Sequence, residues 1–341
     1  MWLAQRGFYV KWSQLLLPTL FATVWHTNYH SVNAEVVAAF VVPHGGVALD
    51  PSHTNFTNST DQQLADALHE NLMNLSQDVA DQNPDIIFFS TPHGISDMDR
   101  FLIYLNEKAA GVTYADHCQS KNCAFNLNIS LAANESLNLV HHLKKSHRVS
   151  GVSTFGPPAG SSSPRIRLTS DSADQSFDQT AIPLRWGEII PLYFIPKNQN
   201  RKFIILSHPS RRYSHSESMI PELLHLGRSL YLRLSHLKER VAVIISADLA
   251  HTHQKDGPYG YSPSAQPFDD AVGTWLKTLD ATSLLQTAAG YVNEALSCGY
   301  TGLVMLHGML SEGGLKRWTP KLLINGHPTY FGMALASMKR S

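Results

Sequence analysis

Three histidines of this sequence each follow a run of strand-forming residues. His44 and His93 stand in Pro-His-Gly triplets, in "FVVPHGG" and "DIIFFSTPHG", and His251 ends "VAVIISADLAH". The carboxyl ends of strands in an α/β sheet line one crevice, so these side chains can converge although they are far apart in sequence. Neutral imidazole binds transition metals and exchanges protons near neutral pH. The pattern therefore predicts a metal centre or an acid–base site.

A metal centre of this kind would combine two of the histidines with a carboxylate. Two neutral imidazoles and one carboxylate form the facial triad of non-haem Fe(II) oxygenases, which leaves coordination positions open. Spacing alone does not choose the carboxylate, and the candidates are Asp50, Asp97, Glu188, Asp248 and Glu294.

The elements that must position these residues alternate between strands and helices. The strand-like run before His44, the helical pattern of "TDQQLADALHENLMNL" and the strand-like run before His93 form a β-α-β unit, which is typical of parallel sheets. The runs "IIPLYFI" and "LLINGHPTYFGMALASM" predict further strands, and residues 156–178 predict a long loop. We therefore expect one α/β domain with a central, mostly parallel sheet and helices on both of its faces.

Five short motifs occur in order along the chain, namely "VVPHGG", "PDIIFFSTPHG", "ISADLAHTH", "NEALSCGYTGLVMLHGML" and "HPTYFGMALA". Together they resemble the class III extradiol dioxygenase superfamily, the LigB-like proteins, to which the Memo proteins are related. The resemblance implies that His44, His93 and Glu294 bind Fe(II), with Zn(II) as the alternative ion. It also implies that His251 is the acid–base residue. The expected reaction is extradiol cleavage of a catecholic or aminophenolic ring, with both atoms of O2 incorporated.

Further side chains are candidates for the lining of the same pocket. Asp248 precedes His251 by three positions and could orient its ring. His208 follows the strand-like run "KFIILS", where the strand-end argument applies again. His327 and Tyr330 belong to the closing motif that resembles the family.

Two positions depart from the pattern of the family. Related proteins often carry a second active-site histidine where this chain reads "PLRWGEIIPLYFI", with Trp186 in that region. Cys298 follows Glu294 by four residues, and a cysteine near this point resembles a metal ligand of the Memo branch. The other interpretation is a buried thiol packed in a helix. The alternative function is therefore a Memo-like metal-binding protein that keeps the pocket but has a binding or redox role without ring cleavage.

The composition excludes some classes of partner. The chain has 27 basic and 27 acidic residues, so it has no net charge of the kind that attracts nucleic acid. No apolar run reaches the roughly 20 residues that a membrane-spanning helix needs. We expect a small aromatic substrate and O2 as partners, and a homo-oligomer is compatible with the sequence.

The first 34 residues have the pattern of a secretory signal. Basic residues precede the apolar run "LLLPTLFATVW", and the segment ends in small residues at Ala34. Five Asn-x-Ser/Thr sequons follow, at Asn55, Asn58, Asn74, Asn128 and Asn134. The sequence thus predicts a leader at 1–34, a catalytic domain at 35–341 and a secreted or lumenal location, with the cytoplasm as the alternative. Cys118 and Cys123 are close enough in sequence to form a small disulfide.

Overall fold

Strands and helices alternate along the chain in the computed structural model, which describes residues 36–56, 58–118, 123–156, 165–169, 180–196 and 200–341. The predicted leader lies outside the described residues. The strands are β1 (Val36–Val42), β2 (Ile86–Thr91), β3 (Phe101–Tyr104), β4 (Lys108–Tyr114), β5 (Ala124–Ser130), β6 (Val149–Phe155), β7 (Arg165–Thr169), β8 (Ile182–Pro183), β9 (Lys202–Ser207), β10 (Val241–Ser246), β11 (Trp318–Gly326) and β12 (Met333–Arg340). The helices are α1 (Ser59–Asp81), α2 (Ala133–Leu143), α3 (Trp186–Tyr193), α4 (Arg212–His215), α5 (Ile220–Leu234), α6 (Ala265–Thr278), α7 (Ala289–Ala295) and α8 (Tyr300–Glu312), with a π-helical segment, Ser283–Ala288, before α7.

Three wholly buried strands form the centre of the main sheet. β1, β2 and β10 are rich in Val, Ile, Phe and Ala, and every residue in them is buried. Such continuous apolar runs are typical of parallel strands that are covered on both faces. β10 lies between β1 and β2 and pairs with both in parallel. The carboxyl ends of these three strands therefore meet at one edge of the sheet.

The complete sheet is mixed rather than wholly parallel, with the predicted parallel strands at its centre. Its strand order is β11-β12-β1-β10-β2-β9-β3-β6-β7, and the parallel strands run from β1 to β9 and again from β3 to β6. The pairings of β9 with β3, of β6 with β7 and of β12 with both its neighbours are antiparallel. A separate three-stranded sheet has the order β5-β4-β8.

Helices cover both faces of the main sheet, as predicted. On one face, Leu68 of α1 and Ile189 of α3 belong to the same buried cluster as Phe40 of β1. On the other face, helices α2, α5, α6 and α8 pack against the opposite sides of the same strands, with Trp275 of α6 fully buried. None of the helices in the described part of the chain is long and apolar enough to cross a membrane.

Three local predictions are wrong. The run "IIPLYFI" begins inside a helix, α3, rather than forming a strand. The backbone N–H of Arg185 donates to Glu188 Oε2 (2.7 Å), and this capping contact starts the helix. The closing run is a hairpin of two strands, β11 and β12, rather than a single strand. The predicted loop at 156–178 contains β7, which pairs with β6, and its residues 157–164 and 170–178 lie outside the described residues.

Candidate metal centre

Two histidines and a cysteine meet at the carboxyl edge of the sheet. His44 and His93 follow β1 and β2, and Cys298 lies just before α8. The rings of the two histidines are 4.7 Å apart, and His44 Nε2 is 3.2 Å from Cys298 Sγ. One nitrogen of each ring and the sulfur all lie within 4.8 Å of one another. We call these three residues the candidate metal centre.

The spacing of these atoms fits a metal ion. Bonds of about 2.1 Å to nitrogen and 2.3 Å to sulfur would separate the two ligand atoms by about 3.1 to 3.6 Å for bond angles between a right angle and the tetrahedral angle. The observed separation of His44 Nε2 and Cys298 Sγ, 3.2 Å, falls in this range. Imidazole and thiolate ligands suit iron, zinc and copper. The residues present can therefore hold one transition-metal ion and leave coordination positions open.

Glu294 does not join the candidate metal centre, contrary to the expectation from the resemblance. It is exposed on α7, and its Oε2 accepts a hydrogen bond from Ser264 Oγ (2.5 Å). The helix ends at Leu296, whose left-handed conformation (φ 55°) redirects the chain. Cys298, two residues later, is buried and points to His44. The Cys298 thiol thus occupies the third ligand position, for which the resemblance had implied the Glu294 carboxylate.

Three other carboxylates that the sequence left open make different contacts. Asp50 accepts hydrogen bonds from Ser52, and Asp97 accepts backbone N–H groups in a turn. Glu188 is buried and accepts a hydrogen bond from Tyr104 Oη (2.7 Å). Burial raises the pKa of Glu188 to about 7, although the hydrogen bond from Tyr104 acts in the opposite direction.

Hydrogen bonds fix the tautomer of His44. Ser246 Oγ, at the end of β10, donates to the carbonyl oxygen of Gly187 (2.8 Å) and lies 2.8 Å from His44 Nδ1. A hydroxyl has one proton to donate, so Ser246 must accept the proton of His44 Nδ1. Nε2 of His44 is then the bare nitrogen, and it is the one that faces Cys298. This is the usual arrangement of a metal-binding histidine, whose second ring nitrogen is held by a neighbour.

Pro191 explains why the carbonyl of Gly187 is available for this contact. In a regular helix the N–H of residue 191 would donate to the carbonyl of residue 187, but proline has no N–H. The oxygen of Gly187 instead accepts hydrogen bonds from Ser246 Oγ and from Thr91 Oγ1 (3.2 Å). The interrupted helix therefore orients a metal-ligand histidine through one serine.

The absence of a side chain at Gly187 also makes room for His93. A Cβ at this position would lie 2.6 Å from the Cβ of His93, which is too close for any other residue. The Trp186 ring lies 5.3 Å from the His93 ring, at an angle of 33°. Trp186, in the region where the family often carries a second histidine, thus forms a wall beside this ligand.

Burial shifts the pKa of each of the three candidate ligands and so determines its protonation state. It lowers the pKa of His93 to about 3, with a further contribution from the charge of Arg212. Burial likewise lowers the pKa of His44 well below its usual range. Both rings are therefore neutral, which is the form that binds metals. Burial raises the pKa of the Cys298 thiol, so a metal must displace its proton in order to bind.

Asp248 lies directly behind His44. Its Oδ1 accepts the backbone N–H of His44 (2.8 Å), and its Oδ2 is 3.3 Å from Nε2 of the same residue. Burial raises the pKa of Asp248 to about 8, in spite of the backbone N–H groups that lower it. A carboxyl group with this pKa can still hold a proton at neutral pH and share it with neighbouring acceptors.

His251 stands at the same edge of the sheet but is not a member of the candidate metal centre. Its Nδ1 is 2.9 Å from the carbonyl oxygen of Leu249, which can only accept, so Nδ1 carries the proton and Nε2 is bare. The ring stacks on Phe331 at 5.7 Å. A positive charge on His251 would lower the pKa of both His44 and His93.

His208 and His327, two candidates for the pocket lining, lie elsewhere. His208 is buried with Nε2 2.7 Å from Ser90 Oγ and Nδ1 2.9 Å from Thr301 Oγ1. His327 stacks on His253 at 3.9 Å. Neither residue belongs to the lining of the pocket.

The candidate metal centre opens into a cleft of about 670 Å³. His44, His93, Asp248 and His251 line it, as does the predicted pocket residue Tyr330. Aromatic side chains form much of its wall, namely Phe56, Trp186, Tyr259, Tyr330 and Phe331. A cleft of this size with aromatic walls suits a small ring-bearing molecule.

Cys118 and Cys123 are joined in a disulfide beside this cleft, in agreement with the sequence. Their sulfur atoms and a ring nitrogen of His53 lie within 4.8 Å of one another. Because the disulfide occupies both sulfurs, these residues do not form a second metal site in this state. Cys298 is the free cysteine.

Comparison with known proteins now identifies the family. Residues 40–335 match the family model described as the catalytic LigB subunit of aromatic ring-opening dioxygenase. The chain belongs to the LigB family. It is 25% identical over 265 residues to a protein of Clostridium acetobutylicum named CA_C1420, covering 78% of this chain and 50% of the relative. The chain therefore spans half the length of this relative. An uncharacterized protein of Escherichia coli K12, JW3007, gives a TM-score of 0.49 at 14% identity over 88% of this chain and 99% of that one.

Sequence reasoning missed two residues of this LigB site. Ser246 stands in the motif "ISADLAH", but nothing in that motif reveals that its hydroxyl meets His44. Asp116 lies in a polar loop far from every motif, and only the folded chain brings it to the cleft. The signal that could have favoured Cys298 was present, because its resemblance to a metal-ligating cysteine of the Memo branch was one of the two interpretations.

Proposed function

We propose that this LigB-family protein is a metal-dependent dioxygenase that opens the ring of a small catecholic or aminophenolic substrate, with Fe(II) as the ion. The observation that carries the proposal is the convergence of His44, His93 and Cys298 beneath an aromatic cleft that His251 also lines. Family membership supports ring-opening oxygenation as the type of reaction.

Each part of the site has a role in this proposal. The metal ion would bring a hydroxylated ring and O2 together at its open positions and activate them for reaction. The bare Nε2 of His251 would take a proton from a substrate hydroxyl and later return one. A general base needs such a free lone pair within reach of the proton that it removes. Trp186 and Phe331 would hold the flat ring and exclude water from it.

A second candidate function is favoured by the ligand set itself. A thiolate in place of a carboxylate makes softer ions, zinc and copper among them, better competitors for the site. Trp186 adds no proton-transferring group where related enzymes often have a histidine. Both features fit a metal-binding protein with a redox or binding role and no ring cleavage.

Anaerobic reconstitution separates these functions. The protein would be loaded with Fe(II), Zn(II) or copper, and each form would be tested for O2 uptake with a panel of catechols and aminophenols. We expect the Fe(II) form to yield a ring-opened product that carries both atoms of isotopically labelled O2. Stoichiometric metal binding without any ring-opened product would favour the second function.

We also propose that the protein acts in the secretory pathway or outside the cell. The basic and apolar pattern before Ala34 motivates the proposal, and all five sequon asparagines are exposed. Intact-mass analysis of the native protein is expected to show cleavage near Glu35 and attached glycans. A native chain that retains Met1 and carries no sugar would contradict this location.

A further inference from the structure

The wall of the cleft carries acidic side chains and no basic one. Asp61, Asp116 and Asp256 line it, in addition to Asp248 beside His44, and none of the lining side chains in the described ranges is a lysine or an arginine. A carboxylate-bearing aromatic ligand would meet acidic groups on this wall, and Arg212, whose charge acts on His44 and His93, does not line it. A ligand with a positive charge would meet both carboxylates and aromatic faces.

Asp116 is the acidic residue best placed to meet a ligand. Its Oδ2 accepts the backbone N–H of Val47 (2.9 Å), which fixes the carboxylate. No hydrogen bond from a described residue reaches its Oδ1. A Cβ on Gly46 would collide with this oxygen, so the carboxylate lies against the loop that follows His44. Asp116 is therefore anchored by one oxygen, while the other accepts no hydrogen bond from the described residues and lies beside Gly46, two residues after His44.

Trp186 supplies an aromatic surface in the same part of the cleft. It borders both the main cleft and a smaller recess, and Asp116 borders the same two spaces. Its side chain is 46% exposed although its ring lies beside His93. A cation within about 6 Å of an indole face is attracted by the ring, and a nearby carboxylate adds to this attraction.

We infer that the cleft selects a cationic aromatic amine, whose ammonium group binds Asp116 beside Trp186 while its ring extends toward the candidate metal centre. The inference rests on the proposed function only in assigning this cleft to the substrate. It assigns to Asp116 the role of a specificity-determining residue. Protonated arylalkylamines have the required combination of a flat ring and a positive tail.

Two pairs of probes test the inference by binding alone. Phenethylamine and phenylacetate share a ring and differ in the charge of the tail, and neither needs a metal. Dopamine and 3,4-dihydroxyphenylacetate form the corresponding catechol pair for the Fe(II)-loaded protein under anaerobic conditions. Calorimetry or ligand-observed NMR is expected to show a preference for each amine of about tenfold or more, which corresponds to the loss of one charged contact.

Variants of Asp116 locate the preference. Asp116→Asn keeps an oxygen for Val47 N–H but removes the charge, so the amine should bind about tenfold more weakly and the preference should disappear. Asp116→Glu should keep a preference for the amine. Asp66→Asn, an exposed change on α1 outside the cleft lining, should leave binding unaltered.

The outcomes separate this inference from the proposed function. A preference for the amines that Asp116→Asn abolishes would support the inference even if no probe is ever ring-cleaved. Equal binding of the amine and the carboxylate by the wild-type protein would overturn it, even if catechols are cleaved. An undiminished preference in Asp116→Asn would overturn the role of this residue.

Discussion

His44 and His208 occupy equivalent places at strand ends, but only His44 belongs to the candidate metal centre. Each is buried, and each follows a parallel strand of the same sheet, β1 for His44 and β9 for His208. His44 uses Nδ1 to hold Ser246 and turns its bare Nε2 to Cys298. His208 uses both of its nitrogens to contact hydroxyl groups. A strand-end histidine becomes a ligand only where the fold leaves one ring nitrogen free.

The largest expected effect comes from removing a ligand. We expect His44→Gln to abolish stoichiometric metal binding, and with it all metal-dependent turnover, because one of only three protein ligands is lost. The fold should remain, since the replacement is polar and the surrounding strands are intact. Metal analysis after anaerobic loading measures the effect, and His208→Gln is the matched control that should retain the ion.

The same measurement decides the identity of the third ligand. Cys298→Ala should lower metal affinity by more than the roughly 100-fold that marks the loss of an outer contact. Glu294→Gln should leave metal content unchanged, because the Glu294 carboxylate bonds to Ser264. The opposite result, with metal lost only in Glu294→Gln, would restore the carboxylate assignment.

The second effect concerns His251, which has a bare Nε2 like His44 but stands outside the ligand set. If ring opening is confirmed, His251→Gln should reduce turnover by about 10²–10⁴-fold, the usual contribution of a general acid–base group. Metal content should stay at the wild-type level. Full turnover in this variant would rule out the acid–base role, and loss of the metal would make His251 a ligand instead.

The contrast between the strand ends also shows what sequence can predict. The buried strands were predictable because long runs of Val, Ile and Phe in a β-α-β context are typical of buried strands. The convergence of His44 and His93 followed from those strands, because the carboxyl ends of parallel strands share an edge. Neither conclusion required knowledge of a side-chain contact.

The failures have physical causes as well. The composition of the α3 segment predicts a strand, but the contact between Arg185 and Glu188 starts a helix there. The choice of Glu294 or Cys298 as the third ligand depended on the left-handed conformation of Leu296. The residue type does not predict this conformation, because leucine rarely adopts it. The fate of His208 depended on Ser90 and Thr301, which reach it from distant segments. Tertiary contacts decided each of these cases.

An intermediate effect is expected at Ser246, which orients His44. Ser246→Ala should weaken metal binding by about 10–100-fold, the usual cost of removing such an outer contact, because Nδ1 loses its partner and the tautomer is no longer fixed. Ser246→Thr keeps the hydroxyl and should restore most of the affinity. Ser207→Ala is the matched control, since Ser207 Oγ at the end of β9 is buried and has no hydrogen-bond partner among the described residues. Equal metal affinity in all three variants would show that Ser246 does not position the ligand.

The smallest effect is expected at His208, and it concerns stability. His208→Gln should lower the free energy of unfolding at pH 7 by about 1–3 kcal/mol, because Ser90 or Thr301 loses a buried partner. Burial lowers the pKa of His208 to about 3, whereas an unfolded histidine titrates near 6.5. Between these two pKa values the unfolded wild-type chain binds a proton at His208 that the folded chain does not bind. The free energy of unfolding of the wild-type protein therefore falls as the pH drops from about 6.5 toward 3.

Glutamine at position 208 cannot take up this proton, so the stability gap between wild type and His208→Gln should shrink with acidification. The limiting slope for one proton is about 1.4 kcal/mol per pH unit. Urea unfolding of both metal-free proteins between pH 7 and pH 5 measures the gap, and the titrations of His44, His93 and the other shared groups cancel in the difference. A gap that stays constant over this range would mean that His208 is protonated in the folded chain. In that case His208 would not be a neutral ring held at both nitrogens. The contrast with His44 would then no longer explain which strand end binds the metal.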